Sequence, residues 1–209
     1  MYEHFKALSK EKQETILGAA MMEFASKGFA LASTNVIIAT AKISKGALYH
    51  YFENKEDLFS YLCRYVFNIV VTNYYEKIPD ADGDIIKRLS KASELKQKLF
   101  EEHPFIFEFI KRLTQEPPGV LCEEIMGQLR EVTALGYSKV MGNLDTSLFR
   151  NDMPPEKVVD LIIWSLEGYG NRVMAKMADV KAHQIKDSGF DEELEIYLEL
   201  LRRCYYKQH

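Results

Sequence analysis

The spacing of the apolar residues constrains the fold of this chain more than any other feature of its sequence. These residues recur at intervals of three and four along most of its length. No segment shows the sustained alternation of apolar and polar residues that a half-buried strand would show. The prolines lie between the periodic segments, where they end helices rather than interrupt them. They are Pro79, Pro104, Pro117, Pro118, Pro154 and Pro155. The sequence therefore predicts an all-α fold.

The periodicity predicts nine helices, over residues 10–27, 34–41, 44–52, 55–75, 84–100, 104–114, 120–149, 155–177 and 191–206. Gly28 follows the first of them as a helix stop. Pro104 and Pro155 can each occupy a first helical position. We expect a small three-helix head with a helix-turn-helix over residues 1–53. A larger effector-binding and dimerisation body would occupy residues 54–209, with the fourth helix joining the two.

Composition and charge narrow the class of protein. The chain has 209 residues, 47% of them hydrophobic, and a formal net charge of −4, so any surface for nucleic acid must be locally basic. Its cysteines, Cys63, Cys122 and Cys204, are odd in number and lack metal-ligand spacing, which argues against a disulfide framework or a zinc site. The N-terminus has no apolar signal core, and no apolar stretch is long enough to span a membrane. We expect a cytoplasmic protein without cofactor or metal.

The most informative segment is 33–52, which has the pattern of two short helices joined by a tight turn. Ile37 and Ala41 share one face of the first helix, and Ser44 can cap the second. Leu48 and Phe52, four residues apart, would face inward. The opposite face of the second helix would then carry Lys45, Gly46, Tyr49 and His50, which we call the recognition face.

The recognition face has the chemistry that the DNA major groove accepts. Lys45 can contact a phosphate or a guanine edge, and Gly46 permits close approach. Tyr49 and His50 can donate to phosphate oxygens, and Lys55, at the start of the next helix, could reach the same backbone. Residues 1–50 carry six lysines and four glutamates, a weak local excess of positive charge. The spacing of these residues alone also allows another interpretation, a helical hairpin whose lysines are only solvated.

Residues 16–59 also resemble the DNA-binding head of the TetR family. The matching pieces are Ile16-Leu-x-Ala-Ala20, Phe24-Ala-x-x-Gly28-Phe29, Ser33-Thr34, Ile37, Ala41, Ile43-Ser-Lys-Gly-x-Leu-Tyr-His-Tyr-Phe52 and Lys55-Glu-x-Leu58. The resemblance implies a homodimeric repressor that binds a double-stranded DNA operator and is released by a small-molecule effector in its helical body. It implies DNA contacts at Thr34, Ser44, Lys45, Tyr49, His50 and Lys55.

One residue departs from the family's pattern, which usually has glycine in the turn where this chain has Lys42. A left-handed conformation at this lysine would cost about 1–2 kcal/mol. We expect Lys42 to adopt that conformation and to add a cation near the DNA phosphates.

The last two long helices are the expected dimerisation elements, because in the family such helices pair with their mates in a four-helix bundle. Both carry wide apolar surfaces. The predicted interface residues are Val159, Ile163, Leu166, Gly170, Leu194, Leu198 and Leu201. The alternative is that these residues fill an intramolecular core.

Aromatic residues are dense in the body, as in many small-molecule sites. The predicted ligand-binding residues are Phe105, Glu108, Phe109, Tyr137, Trp164 and Asn171, with the aromatic side chains as walls and the polar ones as anchors. An aromatic wall favours an apolar or flat cationic ligand. The alternative is that the aromatic side chains only fill the core.

Two other classes of protein compete with a DNA-binding regulator. An enzyme lacks support, since the chain contains no nucleophile elbow, phosphate-binding glycine loop or HExxH motif, and we predict no catalytic residue. A helical scaffold would explain the body but would leave the recognition face without a role.

Overall fold

The computed structural model describes residues 2–79, 83–117, 119–177 and 190–208. In these ranges the chain is helical and shows no strand, apart from an isolated antiparallel bridge between Phe149 and Tyr206. This confirms the predicted all-α class. The helices are α1 (Glu3–Lys6), α2 (Lys10–Leu31), α3 (Thr34–Ala41), α4 (Lys45–Tyr51), α5 (Lys55–Asn73), α6 (Ile85–Glu102), α7 (Ile106–Gln115), α8 (Glu123–Met141), α9 (Pro155–Met177) and α10 (Phe190–Tyr205). None of the helices described is both long and apolar enough to cross a membrane.

Two helix boundaries differ from the prediction for visible reasons. α2 continues past Gly28, but Gly28 itself has φ 72° and ψ 172°, so the predicted stop is a break within the helix. α8 ends at Met141 instead of near residue 149. There the buried guanidinium of Arg88 donates to the carbonyls of Val140, Gly142 and Asn143, which accounts for the end of the helix.

The described chain divides into two compact units. The first comprises Met1–Asn73 and Leu99–Ala134, and so combines the N-terminal helices with α5, α7 and the first part of α8. Its core is built from apolar side chains of several helices, including Ile16, Phe24, Ile37, Leu62 and Phe109. α2 packs along both α3 and α7.

The second compact unit comprises Tyr74–Lys98 and Leu135–His209. Its main core contains Ile85, Ile86, Val158, Ile162 and Leu198 from α6, α9 and α10. At the start of α6 the buried carboxylate of Asp84 accepts hydrogen bonds from the Tyr206 hydroxyl at 2.7 Å and from Arg202 at 3.1 Å.

These compact units do not follow the division at residue 53 expected from the sequence. α5 contributes Leu58, Phe59 and Leu62 to the core of the first unit, and α7 adds Phe109, whose ring centroid lies 5.8 Å from that of Phe59. Helices α5 and α7, which we expected to belong to the body, therefore pack with the head in one compact unit. The functional division into residues 1–53 and 54–209 stays a prediction.

Candidate nucleic-acid interface

α3 and α4 form the predicted helix-turn-helix, with a turn of residues 42–44 between them. Ile37 and Ala41 of α3 are buried, as are Leu48 of α4 and Phe52 just after it. These are the side chains whose spacing predicted an inward face. Their burial sets the rotation of α4, and it leaves the four residues of the recognition face exposed.

The turn adopts the conformation expected at Lys42. This residue has φ 54° and ψ 42°, the left-handed region, and its amide donates to the Ala39 carbonyl at 3.3 Å. The next amide, that of Ile43, donates to the Ile38 carbonyl at 3.2 Å. Together these bonds close the C-terminal end of α3 as a glycine in this position usually would. The Lys42 side chain is exposed.

Ser44 caps α4. Its hydroxyl oxygen accepts a hydrogen bond from the Ala47 amide at 3.1 Å. The hydroxyl proton remains available to donate, so capping and a contact to a phosphate oxygen are compatible. A DNA contact at Ser44 stays a prediction.

The recognition face holds an internal contact that the sequence did not reveal. The hydroxyls of Thr34 and Tyr49 lie 3.3 Å apart, which links the start of α3 to the end of α4. The Lys45 ammonium lies 6.0 Å from the centroid of the Tyr49 ring, whose side chain is 41% exposed. The phenol is therefore held in place while its outer edge remains open to solvent.

Gly46 is not required by the packing of α4. A Cβ atom built at this position would meet nothing closer than the Ser44 hydroxyl, at 4.0 Å. Glycine within a helix costs about 0.5–1 kcal/mol relative to alanine. A glycine that neither the fold nor the backbone requires is consistent with close approach of a partner to this face.

Lys55 has a different environment from the one predicted. Its ammonium donates to the carbonyls of Phe29, Ala30 and Ala32 at 2.9, 3.2 and 3.3 Å, and lies 4.8 Å from the centroid of the Phe29 ring. These bonds use all three of its donors to neutralise the carbonyl end of α2. Contact of Lys55 with DNA stays a prediction, and it would require the exchange of at least one of these bonds.

The N-terminal helix α1 supports α4 and was missed by the sequence analysis. Phe5 is completely buried, with its ring centroid 4.9 Å from that of Phe52. The His4 ring lies 4.3 Å from the ring of His50 in the recognition face. Two aromatic residues three apart, Tyr2 and Phe5, were the signal available in the sequence.

Tyr2 attaches the same segment to α5. Its hydroxyl donates to the Asp57 carboxylate and accepts from Arg64 at 3.1 Å. Burial, together with the hydrogen bond to Asp57, raises the pKa of Tyr2 to about 12. The phenol therefore stays protonated near neutral pH and keeps donating to Asp57.

Comparison with known proteins places this geometry in a family. Residues 16–62, which contain α3, α4 and the start of α5, match the model of the bacterial regulatory proteins of the tetR family. Over these residues the chain matches the TetR family. Its helix-turn-helix is the part that carries the match.

Individual proteins similar to this chain are described as transcriptional regulators. It is 31% identical over 97 residues to the HTH-type transcriptional regulator YuxN of Bacillus subtilis (strain 168), covering 46% of this chain and 33% of YuxN. It is 30% identical over 141 residues to the HTH-type transcriptional regulator YerO of the same organism, covering 68% of this chain and 45% of YerO. The chain thus spans less than half the length of either relative.

A solved structure extends the likeness of fold to nearly the whole chain. The TetR family transcriptional regulator from Chloroflexus aurantiacus J-10-FL superposes with a TM-score of 0.64 and 18% identity, over 99% of this chain and 98% of that one. At this identity the likeness shows a shared fold only.

The six predicted ligand-binding residues do not occupy one kind of environment. Phe109 is buried, Phe105 and Asn171 are exposed, and Tyr137 and Trp164 are 70% and 62% exposed. They also fall in different compact units, with Phe105, Glu108 and Phe109 in the first and the other three in the second. The exposed side chains do not behave as walls of an enclosed cavity. A groove of about 260 Å³ in the second unit is lined instead by side chains of α6 and α10, among them Lys87, Glu195 and Arg202.

The predicted dimer residues lie mainly inside the second unit. Val159, Leu194 and Leu198 are buried in its core, and Ile163, Leu166 and Leu201 pack partly buried against that core. Val159, Leu194 and Leu198 therefore contribute to an intramolecular core, and a dimer contact at Ile163, Leu166, Leu201 or Gly170 stays a prediction. Gly170 has open space around its Cβ position.

Other apolar side chains of α9 and α10 are exposed instead. Leu161 and Trp164 lie three residues apart on α9, and Ile196 and Leu200 lie four apart on α10. Gly168, four residues after Trp164, has no atom within 4 Å of its Cβ position. We call Leu161, Trp164, Ile196 and Leu200 the exposed apolar residues of α9 and α10. Their spacing marks one stripe on each helix.

Proposed function

We propose that this chain is a sequence-specific DNA-binding transcriptional repressor, which acts as a homodimer on a double-stranded DNA operator. The observation that carries the proposal is the recognition face, an exposed set of cationic and hydrogen-bonding groups on a short helix whose rotation is set by buried Leu48 and Phe52. A helix of this size enters the major groove, where Lys45 can reach base edges or phosphate.

The direct test is fluorescence polarisation with duplex DNA from upstream of the chain's own gene, titrated at several salt concentrations. We expect the wild-type chain to bind and the double variant Lys45→Ala with Tyr49→Ala to bind at least about tenfold more weakly. The loss of the Lys45 phosphate contact should reduce the salt slope by about 1. Lys157→Ala, an exposed lysine of α9 paired with Asp160, is the matched control.

Two outcomes would contradict the proposal. One is the absence of DNA binding by the wild-type chain at low salt, where the phosphate contribution is greatest. The other is unchanged affinity in the double variant. Either result would favour a helical protein that acts through protein partners.

The homodimer is proposed to form through the exposed apolar residues of α9 and α10. Side chains as large as that of Trp164 are costly to leave in water, and burying them against a second copy removes the cost. The open space at Gly168 would let two helices approach closely. Two subunits would present two recognition faces to half-sites about one turn of DNA apart.

An effector is proposed to bind in the C-terminal body and to release the operator. The supporting observation is that Glu108 Oε2 and Gln128 Oε1 are buried without a hydrogen-bond partner in the described part of the chain. Such atoms are unfavourable unless a donor reaches them. A ligand with a cationic or N–H donor group would supply one, which agrees with the flat cationic class expected from the aromatic residues.

The effector proposal can be tested by thermal shift with three compound sets: flat cations, neutral aromatics and anions. We expect flat cations to raise the unfolding temperature of the wild-type chain and to raise that of Glu108→Gln much less, because the amide lacks the negative charge. Stabilisation by anions alone, or equal stabilisation of both proteins by cations, would contradict the role of Glu108.

A further inference from the structure

The break in α2 exposes backbone groups that α7 satisfies. At Gly28 the helical hydrogen bonds are interrupted, and the flanking groups turn towards α7. The Phe29 amide donates to Glu116 Oε1 at 2.9 Å, and Arg112 Nη2 donates to the Lys27 carbonyl at 3.3 Å. Arg112 near the end of α7 and Glu116 just after it thus replace bonds that α2 lacks. We call Arg112 and Glu116 the clamp.

The clamp is closely fitted to its target. The Glu116 side chain is 3% exposed, and its carboxylate forms an ion pair with Arg112 Nε at 3.5 Å, although this nitrogen makes no hydrogen bond within the described residues. A Cβ atom at residue 28 would lie 2.4 Å from Arg112 Nη2 and 2.7 Å from Glu116 Oε1. Only glycine leaves room for the clamp, and only glycine adopts a φ of 72° here without strain.

The clamped segment leads directly into the helix-turn-helix. Just after it the Ser33 amide, which precedes α3, donates to the carboxylate of Glu23 at 3.0 Å. Lys55 holds the carbonyls of Phe29, Ala30 and Ala32 from α5. The chain that enters α3 is therefore held by two helices, α5 and α7, through separate sets of hydrogen bonds.

We propose that the clamp is a positioning pair, which makes the orientation of the recognition face depend on α7 although neither Arg112 nor Glu116 belongs to that face. This inference rests on the proposed function and adds a regulatory path to it. Glu108 and Arg112 are four residues apart on one face of α7, and Glu116 directly follows the end of that helix with an extended backbone. A donor bound at Glu108 would then lie one helical turn from the clamp. An effector that binds better to a shifted position of α7 would weaken the hydrogen bonds of the clamp at the α2 break. DNA binding would weaken as a result.

The test compares Glu116→Ala, Glu116→Gln and Arg112→Ala with the wild-type chain for DNA affinity, salt slope and thermal unfolding. We expect Glu116→Ala to lower DNA affinity at least about fivefold without changing the salt slope, since no phosphate contact is removed. Glu116→Gln should recover most of the affinity, because its amide oxygen still accepts from Phe29. Lys111→Ala, exposed on the same helix, is the control.

A purely structural role would give a different pattern. It would lower the unfolding temperature of Glu116→Ala while the folded protein keeps wild-type DNA affinity, and that result would overturn the proposal. If Glu116→Ala fails to fold, Arg112→Ala carries the same comparison, because Arg112 is 38% exposed and loses only the bond to Lys27 and the pairing with Glu116. Wild-type affinity in folded Arg112→Ala would likewise overturn it.

Hydrogen exchange separates this inference from the proposed function. Should the wild-type chain bind no DNA, the proposed function fails, yet the clamp still predicts faster amide exchange at Phe29 and in α4 of Glu116→Ala than in the wild-type chain. Faster exchange at Phe29 with unchanged exchange in α4 would show that the clamp does not reach the recognition face, and would overturn the inference.

Discussion

Gly46 and Lys42 show how single residues of the helix-turn-helix separate stability from binding. Gly46 is a glycine that the fold does not need, and Lys42 is a non-glycine residue where the backbone favours glycine. In both, the residue present is worse for the local backbone than its alternative. A requirement outside the fold, such as contact with DNA, would account for both choices.

Gly46→Ala should be as stable as the wild-type chain or more stable, by up to about 1 kcal/mol, because alanine favours the helix and its Cβ has room. Its DNA affinity should fall, since the methyl group would hold the α4 backbone away from the groove. Thermal unfolding and fluorescence polarisation measure the two effects. Gly18→Ala on α2, where a Cβ also meets nothing within 4 Å, should gain stability with unchanged DNA affinity. Equal affinity of both variants would remove Gly46 from the interface.

Lys42→Gly should keep the fold and relieve about 1 kcal/mol of strain at φ 54°. DNA binding should weaken modestly and the salt slope should fall by about 1, since one cation is lost near the phosphates. Denaturant unfolding and a salt titration of DNA affinity provide the measurements. If affinity and salt slope both stay at wild-type values, Lys42 makes no DNA contact.

At the scale of elements, polar side chains hold several helix ends that sequence periodicity alone does not locate. Lys55 closes the end of α2, Arg88 ends α8, and Asp84 caps α6 through the Ile86 and Lys87 amides at 3.0 and 3.2 Å. Each of these groups reaches backbone that is distant in sequence or lies at a helix terminus, where four groups lack intrahelical partners. The contacts of Arg88 and Asp84 stabilise helix ends within the second compact unit, and those of Lys55 do so within the first.

Asp84 makes the stability of the second unit depend on pH. Burial raises the pKa of its carboxyl, but hydrogen bonds from Tyr206, the Lys87 amide and Arg202 outweigh burial and hold the pKa below its ordinary value. A lowered pKa in the folded state means that the stabilisation is complete above about pH 4 and is lost as pH falls further through the folded pKa. We therefore expect the free energy of unfolding to decrease below about pH 4.

Asp84→Asn should lower the free energy of unfolding at neutral pH by about 1.5–3 kcal/mol, the usual cost of losing hydrogen bonds to a charged group. Its stability should decrease less steeply than that of the wild-type chain on acidification. Urea unfolding at pH 7 and at about pH 3 would measure both. Asp152→Asn, whose carboxylate is exposed and paired with Arg150, serves as the control. Parallel acid dependence of the wild type and Asp84→Asn would contradict the assignment.

At the scale of the whole molecule, the exposed apolar residues of α9 and α10 determine what a second copy would contact. The side chains first expected at that interface, Leu194 and Leu198 among them, are buried within the same subunit. Trp164 and Ile196 lie on other faces of the same two helices, and their side chains remain exposed to solvent. An interface between copies that uses these helices can include the latter set and the partly buried Ile163, Leu166 and Leu201.

Trp164→Glu combined with Ile196→Glu should shift the chain towards monomer by at least about tenfold in the dimer dissociation constant, because two charges would be buried per subunit. Sedimentation velocity across a micromolar concentration range provides the measurement. The control is Tyr137→Glu, an exposed aromatic residue on α8. Operator affinity should fall together with dimerisation. A wild-type chain that is monomeric at micromolar concentration, or a double variant that dimerises normally, would exclude this interface.

The helix-turn-helix was predictable because its determinants are local. The spacing of Ile37, Ala41, Leu48 and Phe52 determines which side of α4 is buried, and the turn allows few conformations, so the recognition face followed from the sequence. α1 was missed for the opposite reason. Its four residues are too few to show a period, and its burial depends on the rings of Phe52 and Tyr61 far along the chain.

The helical class, the positions of most helices and the composition of the recognition face follow from the amino-acid sequence, since these depend on periodicity and capping within a few residues. Three other features follow from packing between distant segments: Lys55 binds backbone carbonyls, Leu198 is core while Trp164 is surface, and Glu116 reaches Phe29. An amphipathic helix does not specify which of several apolar faces meets a given neighbour. That choice depends on how distant segments pack, and it determines where charge, cavity and interface lie.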